Sequence, residues 1–197
     1  MIDFKNSETA KNLIRAFAGE SQARNRYTLA AEKAKKQGLP VIESVFLFTA
    51  GQELAHADIF YDYLKELKGQ NIRVDGAYPV DQYDSCLDLL KAARHNEYEE
   101  FQDVYQSFGN IAREEGFEQI AGAFFKVAEI EKLHGDRFQL FADYLEKNQL
   151  FVSEVETGWM CLNCGFVFRG NQVPGSCPVC RHEQGYFIRL ELAPYIQ

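Results

Sequence analysis

One four-residue pattern, Glu-x-x-His, occurs twice in this chain. Glu53-Leu54-Ala55-His56 and Glu131-Lys132-Leu133-His134 each sit inside a stretch with helical hydrophobic period. An acid and an imidazole three residues apart lie about 60° apart around a helix, so both side chains reach one point from one face. Burying such a pair is costly unless something neutralises it. Two copies, each opposite a helix that carries further inward acids, are the arrangement that builds a two-metal site inside a four-helix bundle.

The apolar stripes lay out that bundle. A first helix is expected over 7–37, with Leu13, Phe17, Glu20, Tyr27, Ala31 and Ala34 on one face, ended by Gly38-Leu39-Pro40. A second runs over 41–68, with Val45, Thr49, Gln52, Glu53, His56, Phe60, Tyr63 and Leu67 inward. Residues 69–82 carry no helical period and are punctuated by Gly69, Gly76 and Pro79. So long a connection is unusual between bundle helices, but a ferritin-like crossover along the bundle requires it. A third helix follows over 83–115, with a weak capping signal at Ser85 and Asp88. Its stripe is Leu90, Ala93, Glu97, Glu100, Phe101, Val104, Phe108 and Ile111. Gly116 breaks the chain, and a fourth helix reaches 147 with Ile120, Phe124, Val127, Glu131, His134, Phe138, Phe141 and Leu145 inward. The pattern is an internal duplication in form: helix, short turn, helix, crossover, and the same again.

The polar residues on these stripes are Glu20, Glu53, His56, Glu97, Glu100, Glu131 and His134. Five unpaired carboxylates in a bundle core would each cost several kcal/mol or protonate. A single such Glu is ordinarily an edge residue whose head reaches water, and a single such His an ordinary core residue. All seven in mirrored positions point to a di-metal site. Oxygen-rich donors with one nitrogen per metal suit iron or manganese better than structural zinc. Glu99, Glu114, Glu115, Glu118 and Glu129 fall off the stripes and are assigned to solvent, as is His95; Cys86 reads as a buried small hydrophobe. Tyr27 and Tyr105 lie about two turns beyond Glu20 and Glu97. They are either aromatic core or phenols that hydrogen-bond a ligand carboxylate.

Past Asn148 the period is lost. Residues 151–157 read as linker or a short strand, and the remainder is too short for a stable apolar core without a metal or disulfides. Cys161-x-x-Cys164 and Cys177-Pro178-x-Cys180 are two knuckles for tetrahedral thiolate coordination, which spacing alone assigns to zinc as readily as to iron. The start of the chain lacks a basic segment followed by an apolar run, and no stretch is apolar enough to span a bilayer. The cysteines are therefore expected to bind metal in a reducing cytoplasm. A net charge of −8 argues against nucleic acid and anionic membrane partners.

Taken together, these residues resemble the rubrerythrin family over nearly the full length. The resemblance rests on Glu20, the Glu53/His56 pair, Glu97 with Glu100, the Glu131/His134 pair, and the terminal run from Trp159 through Cys161, Cys164, Gly165, Gly170, Cys177 and Cys180, which is similar to rubredoxin. It implies an all-α ferritin-like di-iron bundle at 1–150 and a small rubredoxin-like β domain at 151–197 holding one iron in Cys161, Cys164, Cys177 and Cys180. Within the family Glu53 and Glu131 would bridge the irons, with Glu20, Glu97 and Glu100 terminal and His134 on one iron. His56 would exchange with Glu100 as the neighbouring iron changes charge. The implied activity is a peroxidase that reduces hydrogen peroxide to water and protects against oxidative stress. Electrons would pass through the thiolate iron from an NAD(P)H-linked reductase or a rubredoxin. The competing expectations are a ferroxidase that handles iron and a non-catalytic module whose zinc-ribbon tail docks a partner. Because the tail leaves from the end of a long helix, a head-to-tail homodimer is expected, with the crossover also permitting helix exchange. Arg181-His182 reads as a surface turn.

Overall fold

The first helix starts at Ser7, whose Oγ accepts the Ala10 backbone N–H at 3.0 Å as an N-cap. In the computed structural model, which describes residues 2–194, α1 (Glu8–Lys36) ends at Gly38, where a φ of +71° suits a residue without Cβ. Pro40 takes the first position of α2 (Pro40–Asp62), so the two helices form a tight antiparallel hairpin. Ser85 caps α3 (Cys86–Glu99) by accepting the Leu87 and Asp88 N–H groups. A π-helical turn (Glu100–Val104) joins α3 to α4 (Tyr105–Glu114), making one rod. Gly116, at φ +90°, turns the chain into α5 (Glu118–Glu146), and the second hairpin closes.

The crossover runs the length of α1. Tyr78 Oη donates to the Arg15 carbonyl at 3.1 Å, Asp81 pairs with Arg26 at 2.5 Å, and Lys33 and Gln37 donate to the Tyr83 and Asp84 carbonyls. These partners advance from the early to the late turns of α1, as the ferritin-like topology demands.

Two apolar layers fill the bundle, one at each end. Tyr27, Phe46, Leu90 and Phe138 pack in one; Leu13, Phe60, Tyr105 and Phe124 pack in the other. The acid and histidine layer lies between them.

Three expectations are corrected. The second helix stops at Asp62 rather than 68; a turn and a 3-10 helix (Lys65–Leu67) follow. The sequence there holds no breaker; Leu64 and Leu67 are both buried in the segment after the helix. The third helix is interrupted by the π turn, whose wider turn takes one extra residue. The inward stripe after it is therefore Tyr105, Gly109 and Ala112, one position on from the expected Val104, Phe108 and Ile111, which are half-buried. Glu115, expected in solvent, caps α1: its carboxylate accepts the Glu8 and Thr9 N–H groups at 2.9 and 2.8 Å and the Thr9 hydroxyl at 2.5 Å.

The tail is a three-stranded antiparallel sheet in the order β2-β1-β3, formed by β1 (Val152–Cys161), β2 (Val167–Gln172) and β3 (Phe187–Arg189). Its register breaks between Val152 and Thr157, within the stretch expected as linker or short strand. Trp159 and Phe187 are fully buried at its centre. Arg189 ties the sheet to the helices: it donates to the Gln149 and Val152 carbonyls, and its guanidinium lies 4.6 Å from the Tyr144 ring and 4.8 Å from the Trp159 ring. Gly185 packs against the α1–α2 turn, where a Cβ would come within 2.2 Å of the Gly38 carbonyl oxygen. No described helix is long and apolar enough to cross a membrane.

Burial opposes ionisation of Glu115, but its hydrogen bonds to Thr9 and to the Glu8 and Thr9 N–H groups outweigh it and hold its pKa low. Such a group stabilises the fold above the usual carboxylate pKa and loses that contribution as pH falls through its own value. Glu115→Ala is expected to cost about 1–2 kcal/mol at pH 7. Urea denaturation checks this, and the deficit should shrink as the wild-type carboxylate protonates.

Candidate metal centres

Each hairpin brings a Glu-x-x-His pair to the middle of the bundle. Glu53 and His56 project from α2, Glu131 and His134 from α5, Glu20 from α1 and Glu97 from α3. None of these six is more than 4% exposed. They fall into two tetrads: Glu20, Glu53, His56 and Glu131 form one, and Glu53, Glu97, Glu131 and His134 the other, with one donor atom from each residue within 4.8 Å of the rest. Glu53 and Glu131 belong to both. His56 Nδ1 lies 2.9 Å from Glu131 Oε1, and His134 Nδ1 lies 3.0 Å from Glu53 Oε1 and 2.9 Å from Glu131 Oε2.

These short approaches do not satisfy the groups. Both oxygens of Glu53 and Glu131, Oε2 of Glu20 and Glu97, and Nδ1 of both histidines lack a hydrogen bond of acceptable geometry. Buried polar atoms are almost always paired. Lone pairs that converge on shared points rather than on donors fit bound cations. Burial, reinforced by neighbouring carboxylates, pushes Glu20 and Glu131 well above the usual carboxylate range. Glu53 goes the other way: burial is overcome by His134 and His56, which hold it at about 2. Burial of His134 is likewise outweighed by Glu131, Glu53 and Glu97, which push it up to about 11. Without metal, then, the layer survives by gathering protons.

The two tyrosines cross over. Tyr27 Oη on α1 donates to Glu97 Oε1, and Tyr105 Oη on α4 donates to Glu20 Oε1. Each phenol occupies one carboxylate oxygen and leaves the other facing the centre. Glu97 and Tyr105 are eight residues apart and Glu20 and Tyr27 seven, and the extra residue of the π turn absorbs the difference.

Glu100 stands apart from both tetrads. It is half-buried at the first position of the π turn, beside a cavity of about 410 Å³ under the crossover. Its counterpart in the first half, three residues after Glu20, is the buried Ala23. His95, Glu99, Glu114, Glu118 and Glu129 lie outside both donor sets, as expected. Cys86 is buried, and burial pushes its thiol up to about 11. Arg137 was missed. One turn beyond His134, it donates to Thr49 Oγ1 and Gln52 Oε1 at 2.9 and 3.0 Å, and burial lowers its pKa. Its spacing from His134 was the available signal.

The four tail cysteines also converge. Cys161 and Cys180 sulfurs are 3.7 Å apart and those of Cys164 and Cys177 3.6 Å. A tetrahedron with metal–sulfur bonds of about 2.3 Å has edges of about 3.8 Å, so the cradle fits a four-coordinate ion. The knuckles match each other: Gly165 N–H donates to the Cys161 carbonyl and Arg181 N–H to the Cys177 carbonyl, both at 2.8 Å. Both residues have positive φ, +76° and +63°. Arg181 thus occupies the turn position that Gly165 takes without a Cβ. The backbone N–H of His182 draws Cys180 down to about 6. Cys161 and Cys177 are buried, Cys164 is exposed and Cys180 half-buried.

The sequence profile described as Rubrerythrin matches residues 11–142, and that described as Rubrerythrin, rubredoxin-like domain matches residues 159–188. The chain belongs to the rubrerythrin family. Rubrerythrin of Clostridium perfringens is 41% identical, with 95% of this chain and 96% of that protein covered. Rubrerythrin of Nitratidesulfovibrio vulgaris is 40% identical over 96% of this chain and 98% of that protein. Among solved structures, fully reduced, all-ferrous nigerythrin superposes with a TM-score of 0.63 at 27% identity, covering 93% of this chain and 90% of that one. Mycobacterium tuberculosis bacterioferritin BfrA shares the fold, with a TM-score of 0.62 at 19% identity over 72% of this chain and 87% of that one. A rubrerythrin carries a carboxylate–histidine di-iron site and a rubredoxin-like iron site of four cysteines, and the two convergent donor sets fit these groups.

Tyr27→Phe and Tyr105→Phe are each expected to weaken metal binding in the bundle by about 10–100-fold while leaving the thiolate site unchanged. Competition against a chelator, with the two sites followed separately, measures both.

Proposed function

We propose that this chain is a peroxidase that reduces hydrogen peroxide to two molecules of water, taking up two electrons and two protons. The observation that carries this reading is the pair of tetrads sharing Glu53 and Glu131, in one chain with a separate thiolate cradle. The first would hold two metals, and the second one metal that exchanges single electrons. Two iron ions in the bundle supply the electron pair and the Lewis acidity that O–O cleavage requires.

The residues divide the work. Glu53 and Glu131, common to both tetrads, would be shared by the two metals. Glu20 and His56 complete one, and Glu97 and His134 the other. Glu100, on the cavity wall, would be the carboxylate available to take the place of His56 in holding that metal. Tyr27 and Tyr105 hold Glu97 and Glu20 against rotation. Cys161, Cys164, Cys177 and Cys180 bind the third iron, and exposed Cys164 gives an external reductase or rubredoxin its contact. The helical unit at 1–150 and the sheet at 151–197 act as two domains.

Within one chain the sheet packs against Gly38 and Pro40, and about 20 Å of α2 separates Pro40 from Glu53. A head-to-tail homodimer would bring one tail beside the partner's bundle site. The outward face of α2 favours it: Phe48 is 58% and Leu54 49% exposed, and Leu133 on α5 is 59% exposed. A helix apolar all round is ordinarily covered. The compartment is a reducing cytoplasm, which keeps the thiolates available.

Anaerobic assay of the fully reduced protein tests the activity. One equivalent of hydrogen peroxide is expected to oxidise one bundle site, with no mineral accumulating. Cys161→Ser should keep this single turnover but lose at least about 90% of steady-state turnover with an external reductant. Iron accumulation with oxygen, in place of peroxide loss, would overturn the reading.

A further inference from the structure

The crossover does more than connect. Its segment from Asp75 to Asp81 is strapped down at both ends. Arg15 donates to the Asp75 carbonyl and carboxylate at 3.1 and 3.0 Å; Arg26 and Asn96 hold Asp81 at 2.5 and 2.8 Å. Between these anchors Tyr78 bonds to the Arg15 carbonyl, and its ring lies over Gly19 of α1 and Gly76 of the strap. A Cβ on Gly76 would crowd the hydroxyl at 3.0 Å, so Gly76 leaves the slot that the ring fills; Gly19 faces the same ring, where a Cβ would make ordinary contact at 3.7 Å.

Beneath the strap lies the 410 Å³ cavity, bounded by Gly19, Tyr78, Glu100 and Tyr105. Glu100 is the one candidate ligand on its wall, and Tyr105 bonds directly to Glu20. The other six candidate ligands are closed to solvent. Exposed Tyr78 and half-buried Glu100 both line it, which makes this cavity the candidate route from solvent to the bundle centre. Glu99 and Asp103 also line it, against Arg15 alone, so it favours neutral or cationic species over anions.

We infer that Tyr78 and Gly19 form a size filter on this route, admitting a molecule as small as hydrogen peroxide and excluding bulky organic hydroperoxides. The inference rests on the peroxidase reading for its substrate, but not for the route itself. Tyr78 is a specificity-determining residue here and takes no part in the chemistry. It is 41% exposed, so its truncation spares the core.

The test uses reduced holoprotein with two readouts: single-turnover oxidation by hydrogen peroxide and by cumene hydroperoxide, and the rate at which 2,2′-bipyridyl removes ferrous iron from the bundle. Tyr78→Ala is expected to speed the cumene hydroperoxide reaction and iron removal by about tenfold or more, with the hydrogen peroxide rate within about threefold of wild type. Tyr78→Phe keeps the ring and should behave as wild type. Gly19→Leu, which crowds the same slot, should slow all three processes. If it does not fold, the two Tyr78 variants decide the matter. If no hydroperoxide reacts with wild type yet Tyr78→Ala still speeds iron removal, the peroxidase reading fails and the route stands. Unchanged selectivity and unchanged iron removal in Tyr78→Ala would overturn the filter.

Discussion

Buried like charge governs this molecule. Four carboxylates and two imidazoles converge in the middle of the bundle, shielded from bulk solvent and with few donors between them. Coulombic repulsion at such separations, added to the loss of hydration, is of the same order as the stability of a whole domain. Cations relieve it by giving every lone pair a partner. The apolar layers at either end, built on Phe46 and Phe138 and on Phe60 and Phe124, supply the burial that holds the charged layer closed. The fold confines the site, and bound metal in turn stabilises the fold.

Two-fold pseudosymmetry relates the two hairpins across the charged layer. Glu20 answers to Glu97, Glu53 to Glu131, His56 to His134, and Tyr27 to Tyr105. Among the inward acidic positions the symmetry fails where Ala23 in the first half corresponds to Glu100 in the second. There the third rod widens into its π turn. Glu100 is set on the cavity wall there, and the extra residue keeps Tyr105 in register with Glu20. Mid-helix π turns cost hydrogen-bond geometry and concentrate where function requires them.

How much was visible beforehand depended on the range of the physics involved. The helices, the crossover and the convergence of six donors follow from periods of three and four residues and from Gly and Pro punctuation, all local signals. The crossed tyrosine bonds were legible as an alternative because Tyr27 and Tyr105 share the stripes of the acids. The π turn was not, since no breaker marks Glu100–Val104. Nor was the role of Glu115, whose partners on α1 are more than a hundred residues away. Arg189 was equally opaque, because its aromatic and carbonyl partners assemble only when the sheet meets the bundle. Glu100 read as one ligand among seven; only the three-dimensional arrangement sets it apart on a cavity wall.

The most direct measurement is the melting temperature of metal-loaded and chelator-stripped protein, at pH 5 and at pH 8. Raised carboxylates such as Glu20 and Glu131 stabilise the stripped fold below the ordinary carboxylate pKa, and that contribution fades as pH rises through their elevated values. His134, also raised, acts in the same direction, while Glu53 stays ionised throughout this window. Stripping should therefore lower the melting temperature by about 10 °C or more at pH 8, and by less at pH 5. Identical melting with and without metal at pH 8 would mean that the buried charge needs no cation, contradicting the premise on which the site is assigned.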